Sequence, residues 1–80
     1  MGREPQPFVA FGFATVHDAL EAEDALRRGL IPAVPIPPPK ELGDLCGVAL
    51  RVLPSDAARA EGAIRAAGSP PVSRADFVDV

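Results

Sequence analysis

The chain has one cysteine, one histidine, no tryptophan and no tyrosine. A lone thiol cannot close an internal disulfide, which suits a reducing compartment, and a cytoplasmic location is expected. One Cys and one His fall far short of a zinc ligand set, so a metal would need carboxylates or a second chain. Four Phe are the only aromatics, the net charge is −3, and no basic run is longer than Arg27-Arg28. Binding to nucleic acid calls for a basic stripe with rings to stack on, and it is not expected here. No apolar run approaches the roughly 18–20 residues of a membrane span. Met1-Gly2-Arg3-Glu4-Pro5 lacks the apolar core of a secretion signal. Paired carboxylates, a nucleophile–base motif and a phosphate-cradling glycine loop are missing as well, which argues against a stand-alone enzyme. Gly43-Asp44-Leu45-Cys46-Gly47 contains two glycines but follows no strand-to-helix turn, so it is no nucleotide fingerprint.

What is present describes one small domain over residues 1–80, with 1–6 read as a flexible N-terminal tail. Apolar residues make up 48 % and charged residues 24 %, which is globular usage rather than disorder. A chain this short buries only about 60–65 % of its unfolded surface, so the core is thin. A site on an edge, a loop or a shared interface therefore fits better than an enclosed cavity. The thin core and a flat sheet face also favour a homodimer. Of the ten prolines, five lie between positions 32 and 39 and mark a single connection.

Phe8-Val9-Ala10-Phe11-Gly12-Phe13 alternates with period two, as a strand does. Val9, Phe11 and Phe13 share one face, and Ala10, Gly12 and Ala14 the other. Thr15 can N-cap a helix, with Asp18 closing a weak capping box. The helix is expected to run to Arg28 and stop at Gly29, with a buried stripe of Val16, Ala19, Leu20, Leu26 and Leu30. Glu23 falls within that stripe. A surface pair with Arg27 is the favoured reading, and a carboxylate aimed at a site is the sharper one.

Ile31 to Ile36 reads as a short edge strand, since Pro32 and Pro35 remove two amide donors. Pro37-Pro38-Pro39 reads as a stiff, extended spacer, which needs fewer assumptions than the alternative of a proline-motif ligand. Lys40-Glu41-Leu42-Gly43 looks like one helical turn closed by glycine. Cys46 to Val52 is a third strand, with Cys46, Val48, Leu50 and Val52 on one face and Gly47, Ala49 and Arg51 on the other. Pro54-Ser55-Asp56 opens a second helix ending near Gly68, with a small inner face of Ala57, Ala60, Ile64 and Ala67. Gly62 would permit close approach there. Val72 to Val80 supplies the last strand.

The order β-α-β-β-α-β, with one apolar stripe per helix, predicts an α+β ferredoxin-like fold: two helices on one face of a four-stranded antiparallel sheet. The opposite face would carry Ala10, Gly12, Gly47 and Ala49 as a shallow surface, solvated by default or covered by a partner.

Three pieces of this sequence resemble the selenium/sulfur carrier protein-like family of small prokaryotic domains. One is Thr15-Val16-His17-Asp18-Ala19-Leu20-Glu21-Ala22-Glu23, similar to the family's Ser/Thr-x-His-x-Ala-x-x-Ala-Glu. The second is Gly29-Leu30-Ile31-Pro32, near a family Ala-Gly-Ile-Pro, with the glycine here one position early. The most specific runs from Ile36 through Pro37-Pro38-Pro39-Lys40-Glu41-Leu42 to Cys46-Gly47-Val48-Ala49-Leu50-Arg51. It resembles Pro-x-Pro-Arg-Glu-Ile, three residues, then Cys-Gly-x-Ala-Leu-Arg, with Lys40 in place of an arginine, which weakens any planar anion contact.

The resemblance implies that Cys46 carries sulfur or selenium as a persulfide or selenopersulfide, with no other cofactor, between a donor and an acceptor protein in selenium metabolism. Reactive thiols lie in electropositive, partly exposed places, and Lys40, Arg51 and His17 are the candidate supports. Gly47 would let a bulky donor approach. Against this, Glu41 and Asp44 would raise a nearby thiol's pKa, and free Cys is commonly a buried small hydrophobe. His17, at a helix start, is a candidate base or ligand, while a solvated, inert histidine is the commoner case. The competing reading is a small non-catalytic protein-binding or regulatory module. In it Cys46 is structural, and the small-residue sheet face or the groove beside Pro35–Pro39 docks a partner.

Overall fold

The structure is a computed structural model that describes residues 4–42 and 47–79. Four strands, β1 (Gln6–Gly12), β2 (Val34–Ile36), β3 (Ala49–Val52) and β4 (Ser73–Asp79), form one sheet. Its order is β2-β3-β1-β4, and every neighbouring pair is antiparallel. Helices α1 (Val16–Arg28) and α2 (Ala57–Ala66) are the crossovers. This is the ferredoxin-like α+β arrangement expected from the pattern, with β1 and β3 paired in the centre. Short 3-10 turns at Lys40–Leu42 and Pro54–Asp56 complete the described chain. Strand β1 already begins at Gln6, one residue inside the segment read as a tail.

The alternation of β1 sorts the core into two layers. Val9, Phe11 and Phe13 meet Leu50 and Val52 of β3 and the inner residues of both helices: Ala19, Ala22 and Leu26 of α1, and Ala57, Ala60 and Ile64 of α2. On the other face Ala10, Ala49 and Leu42 form a second buried cluster, flanked by Ile36, Ala75 and Phe77. That face is not the shallow solvated surface expected from its small residues. Ala10 and Ala49 are fully buried because the Lys40–Leu42 turn lies across them, inserting Leu42. Small side chains on the strand are what leave room for that turn.

Helix α1 begins and ends where the sequence indicates but faces differently. The Asp18 amide donates to Thr15 Oγ1 at 3.0 Å, so Thr15 is the N-cap. The buried residues are Ala19, Ala22, Ala25 and Leu26, whereas Val16, Leu20 and Leu30 of the expected stripe are exposed. Three alanines let the helix approach the sheet closely, and the bulky Leu20 then turns outward. In α2, Gly62 faces open space rather than a close neighbour, and Ala67 is only half-buried. Strand β2 is three residues long, because Ile31 leaves the sheet edge to pack in the helix–sheet core. Strand β3 begins at Ala49; the expected strand start at Cys46 and the glycine stop at Gly43 lie outside the described residues.

Both helices end in the same hydrogen-bonded motif. In α2 the Gly68 amide donates to Arg65 O at 3.0 Å and the Ser69 amide to Ile64 O at 3.3 Å, with Gly68 at φ +86°. In α1 the Leu30 amide donates to Arg27 O at 3.1 Å and the Ile31 amide to Leu26 O at 2.9 Å. These are Schellman closures, which need one left-handed residue. In α1 that residue is Leu30, at φ +57°, and not Gly29, whose φ of −83° any residue could adopt. The position is held by a pair of core contacts, Leu26 and Ile31, on either side of it. A left-handed leucine costs about 1–2 kcal/mol, and its side chain, 86 % exposed, recovers little by burial.

Two polar ties fasten the helices to their surroundings. The buried Ser69 hydroxyl, just past α2, donates to Glu21 Oε2 of α1 at 2.9 Å, and Glu21 Oε1 lies 3.0 Å from His17 Nε2. Glu61 of α2 accepts from Arg65 at 3.0 Å and from Arg74 of β4 at 3.1 Å. Those two guanidinium hydrogen bonds hold the Glu61 carboxyl below its ordinary 4.5.

Leu30→Gly is expected to raise unfolding free energy by about 0.5–1 kcal/mol, since relief of the left-handed strain outweighs glycine's extra unfolded-state entropy. Equal or lower stability in a denaturant titration contradicts the assignment. Glu21→Ala is expected to cost about 1–3 kcal/mol by stranding the Ser69 hydroxyl. Adding Ser69→Ala should return part of that loss, and a strictly additive double mutant would show the bond to be energetically idle. Because Glu61's folded value is depressed, its ion pairs contribute above the unfolded value of about 4.5 and fade as pH falls through the folded one. Glu61→Gln should therefore lower stability by no more than about 0.5–1 kcal/mol at neutral pH, and the gap to wild type should close in acid melts.

Candidate functional site

Three connections meet at one end of the sheet. Strand β1 ends there at Gly12 and α1 starts at Val16, α2 ends at Ala66 and β4 starts at Ser73, and β2 ends at Ile36 and β3 starts at Ala49. The registers Gly12↔Ser73, Gly12↔Ala49 and Ile36↔Ala49 bring all four strand ends level. The connection between β2 and β3 holds most of the third sequence motif, so that motif belongs to this end of the molecule.

The described part of that connection is built outward from Leu42. The Leu42 amide donates to Pro39 O at 3.0 Å, which closes the turn directly after the three prolines. Its side chain is buried on Ala10 and Ala49, and the Ser73 hydroxyl donates to Leu42 O at 3.4 Å. Lys40 and Glu41, the first two residues of the same turn, are exposed. The next described residue, Gly47, is exposed and would have open space around a Cβ. Cys46 itself lies outside the described residues.

The other candidate residues are divided by the sheet. His17, in the first turn of α1, is on the helix side and exposed, with its Nε2 against Glu21. The amino-terminal end of α1, the positive end of its dipole, opens at this same end of the sheet. Arg51 is on the other side. It pairs with Ala10, two positions further along β3 than Ala49, and its guanidinium lies 4.1 Å above the Phe8 ring. Phe8 in turn packs against Phe77, ring centroids 5.9 Å apart. Arg51 is thus held in a cation–π contact over the sheet. Lys40, Gly47 and the start of α1 share the convergent end, whereas Arg51 stands further along the strand.

Glu23 belongs elsewhere. It lies 3.9 Å from Arg27, as helical spacing suggests, and with Arg27, Leu30, Ile31, Pro32 and Ala33 it lines an open cleft of about 330 Å³. That cleft is at the carboxyl end of α1, the far end of the sheet from Gly47. Among the described residues no three of His, Cys, Asp and Glu gather closely enough to hold a metal ion. No described helix is long and apolar enough to cross a membrane.

Sequence reasoning missed Leu42 as the anchor of the motif loop and Ser69 as the buried partner of Glu21. Leu42 had a signal, as one of only two large apolar residues, with Leu45, between the proline run and the Cys-Gly pair. Ser69 had none, because its partner is 48 residues away and only the packing of α1 beside the end of α2 brings the two together.

No curated protein and no solved structure matches the chain. A family profile does match it, across residues 9–73, from the middle of β1 to the first residue of β4. That span takes in both helices, the proline connection and the Cys46-Gly47 pair, and the chain belongs to the Putative Se/S carrier protein-like family.

Proposed function

We propose that this protein is a sulfur or selenium carrier in which the thiolate of Cys46 holds the transferred atom. The observation that supports the reading is membership of the carrier-like family over a span that includes Cys46 and the residues on either side of it. The chemistry needs one thiol. The Cys46 thiolate attacks the outer sulfur of a donor persulfide, R–S–S–H. A new S–S bond forms as the donor's S–S bond breaks, and the donor thiolate leaves with the electron pair. Cys46 then bears S–SH, or S–SeH when the donor holds selenium. An acceptor thiolate attacks that outer atom in turn and restores the Cys46 thiolate. No net oxidation occurs in either step, so no further cofactor is involved.

The described residues on either side of Cys46 support a thiol that is both ionised and reachable. Gly47 leaves room for a donor protein's persulfide-bearing loop, and Lys40 is exposed on the turn that precedes the cysteine. The positive end of α1 opens at the same end of the sheet and would favour a thiolate there. His17 and Arg51 have a lesser part in this reading, since His17 is paired with Glu21 and Arg51 is stacked on Phe8. Both the donor and the acceptor are proteins that dock at the exposed loop end, in a reducing compartment where a free thiol persists. The alternative of a docking module loses one of its two surfaces, the small-residue sheet face, because Leu42 and its neighbours already bury Ala10 and Ala49.

The test is the alkylation rate of Cys46 against pH, together with transfer in a reconstituted donor–acceptor assay. Fast labelling with an apparent pKa below the ordinary ~8.5 is expected. An intact mass one sulfur or selenium atom heavier after exposure to donor is expected too. Cys46→Ser should abolish transfer and leave the thermal melt in place. A thiol that labels only on denaturation, or full transfer by Cys46→Ser, overturns the proposal.

A further inference from the structure

The two edges of the sheet are protected very differently. Edge strand β2 is three residues long with Pro35 at its centre, so it has little ladder to offer a neighbour. Edge strand β4 is seven residues long, from Ser73 to Asp79, and contains no proline. Along one edge it pairs with β1 over its whole length. Among the described residues its other edge has no strand beside it in the four-stranded order. A long unprotected edge of this kind is a template for another strand.

The side chains of β4 select the partner. Arg74, Asp76 and Val78 alternate on the helix side, opposite Phe11, Val9 and Pro7. Val78 is 65 % exposed and Val72, just before the strand, 58 %. Asp76 is exposed and has no ion pair among the described residues, whereas Arg74 spends one nitrogen on Glu61 and keeps further donors. A second copy of β4 laid antiparallel beside the first can adopt only registers in which residue numbers sum to a constant. Centred on Asp76, the two acids face each other; centred on Arg74, the two bases do. Centred on Ala75, Arg74 faces the second copy's Asp76 and Asp76 its Arg74, while Val72 faces Val78 at both ends. Of these three registers only the one centred on Ala75 sets Arg74 against Asp76 and matches the two exposed valines.

We propose that the protein forms a two-fold homodimer through β4, paired antiparallel about Ala75, giving a continuous eight-stranded sheet. Each Arg74 then bridges Glu61 of its own chain and Asp76 of the other. The two-fold axis is perpendicular to the sheet, so all four helices lie on one side. The convergent ends that hold Gly47 point in opposite directions, and neither is covered or shared. The inference stands apart from the chemistry of Cys46.

Sedimentation analysis of the full chain under reducing conditions, up to about 100 μM, tests it, since an association weaker than that would not be a stable dimer. A reversible dimer is expected, weakened about tenfold or more by Asp76→Arg, which replaces two attractions with two repulsions. Cross-linking gives the register independently of whether Asp76→Arg folds. In a Cys46→Ser background, Ala75→Cys should oxidise to a disulfide dimer, because directly opposed Cα atoms in an antiparallel pair are about 4.5–5.5 Å apart. Val78→Cys should not, as its twin is several residues away along the pair. A chain monomeric throughout the concentration range overturns the proposal. So does a dimer in which Val78→Cys cross-links and Ala75→Cys does not.

Discussion

The alternation of large and small side chains in β1 is the constraint on which the remaining structure rests. Val9, Phe11 and Phe13 need cover on one face, and two helices supply it. Ala10 and Gly12 make the other face flat enough for a chain segment to lie against the backbone. Had those positions been large, the Lys40–Leu42 turn would have no seat, and the loop leading to Cys46 would leave the sheet from a different place. Leu42 is therefore to the second face what Leu26 and Ile64 are to the first, though it comes from a single turn instead of a helix.

This arrangement explains how an 80-residue chain with a thin core can fix both flanks of the connection between β2 and β3. The proline run stiffens the approach, Leu42 pins its end, and Ser73 of the adjacent edge strand holds the Leu42 carbonyl. The loop then rejoins β3 at a level set by the pairing of Ala49 with Gly12 and Ile36. The described flanks of that loop are thus held on both sides. Strand edges, helix ends and turns can supply that in a domain too small to enclose a cavity.

The left-handed Leu30 shows the same economy at the other end of the molecule. The chain could have placed its glycine there, but Gly29 sits one position early, and the Schellman closure is imposed by burial of Leu26 and Ile31 around it. Core packing outweighs local strain, and an exposed leucine beside the Glu23–Arg27 pair is the visible consequence. At Ser69 the balance runs the other way. A buried hydroxyl is tolerated because Glu21 reaches it, so a polar contact rather than an apolar one closes the gap between α1 and the end of α2.

The sequence by itself determined the element order, the ferredoxin-like topology and the helix limits at Thr15 and Gly29. Period-two alternation, a capping hydroxyl and proline punctuation are local signals, and each is written in a few adjacent residues. It also pointed to the family, through short motifs whose spacing survives without any structure. Which face of α1 is buried was not legible, because Val16 and Leu20 look as apolar as Ala22 and Ala25 until the helix is set against the sheet, where Ala19, Ala22, Ala25 and Leu26 turn inward. The burial of Ala10 and Ala49 was misread for a related reason: small residues signal equally an open surface and a seat for another segment. Only the tertiary structure decided between them, by laying Leu42 across the sheet. It likewise gathered Ser69, Glu21 and His17, and it left β4 rather than the proline-blocked β2 as the open edge. Long-range neighbours leave no periodic trace in the chain, and packing alone chooses them.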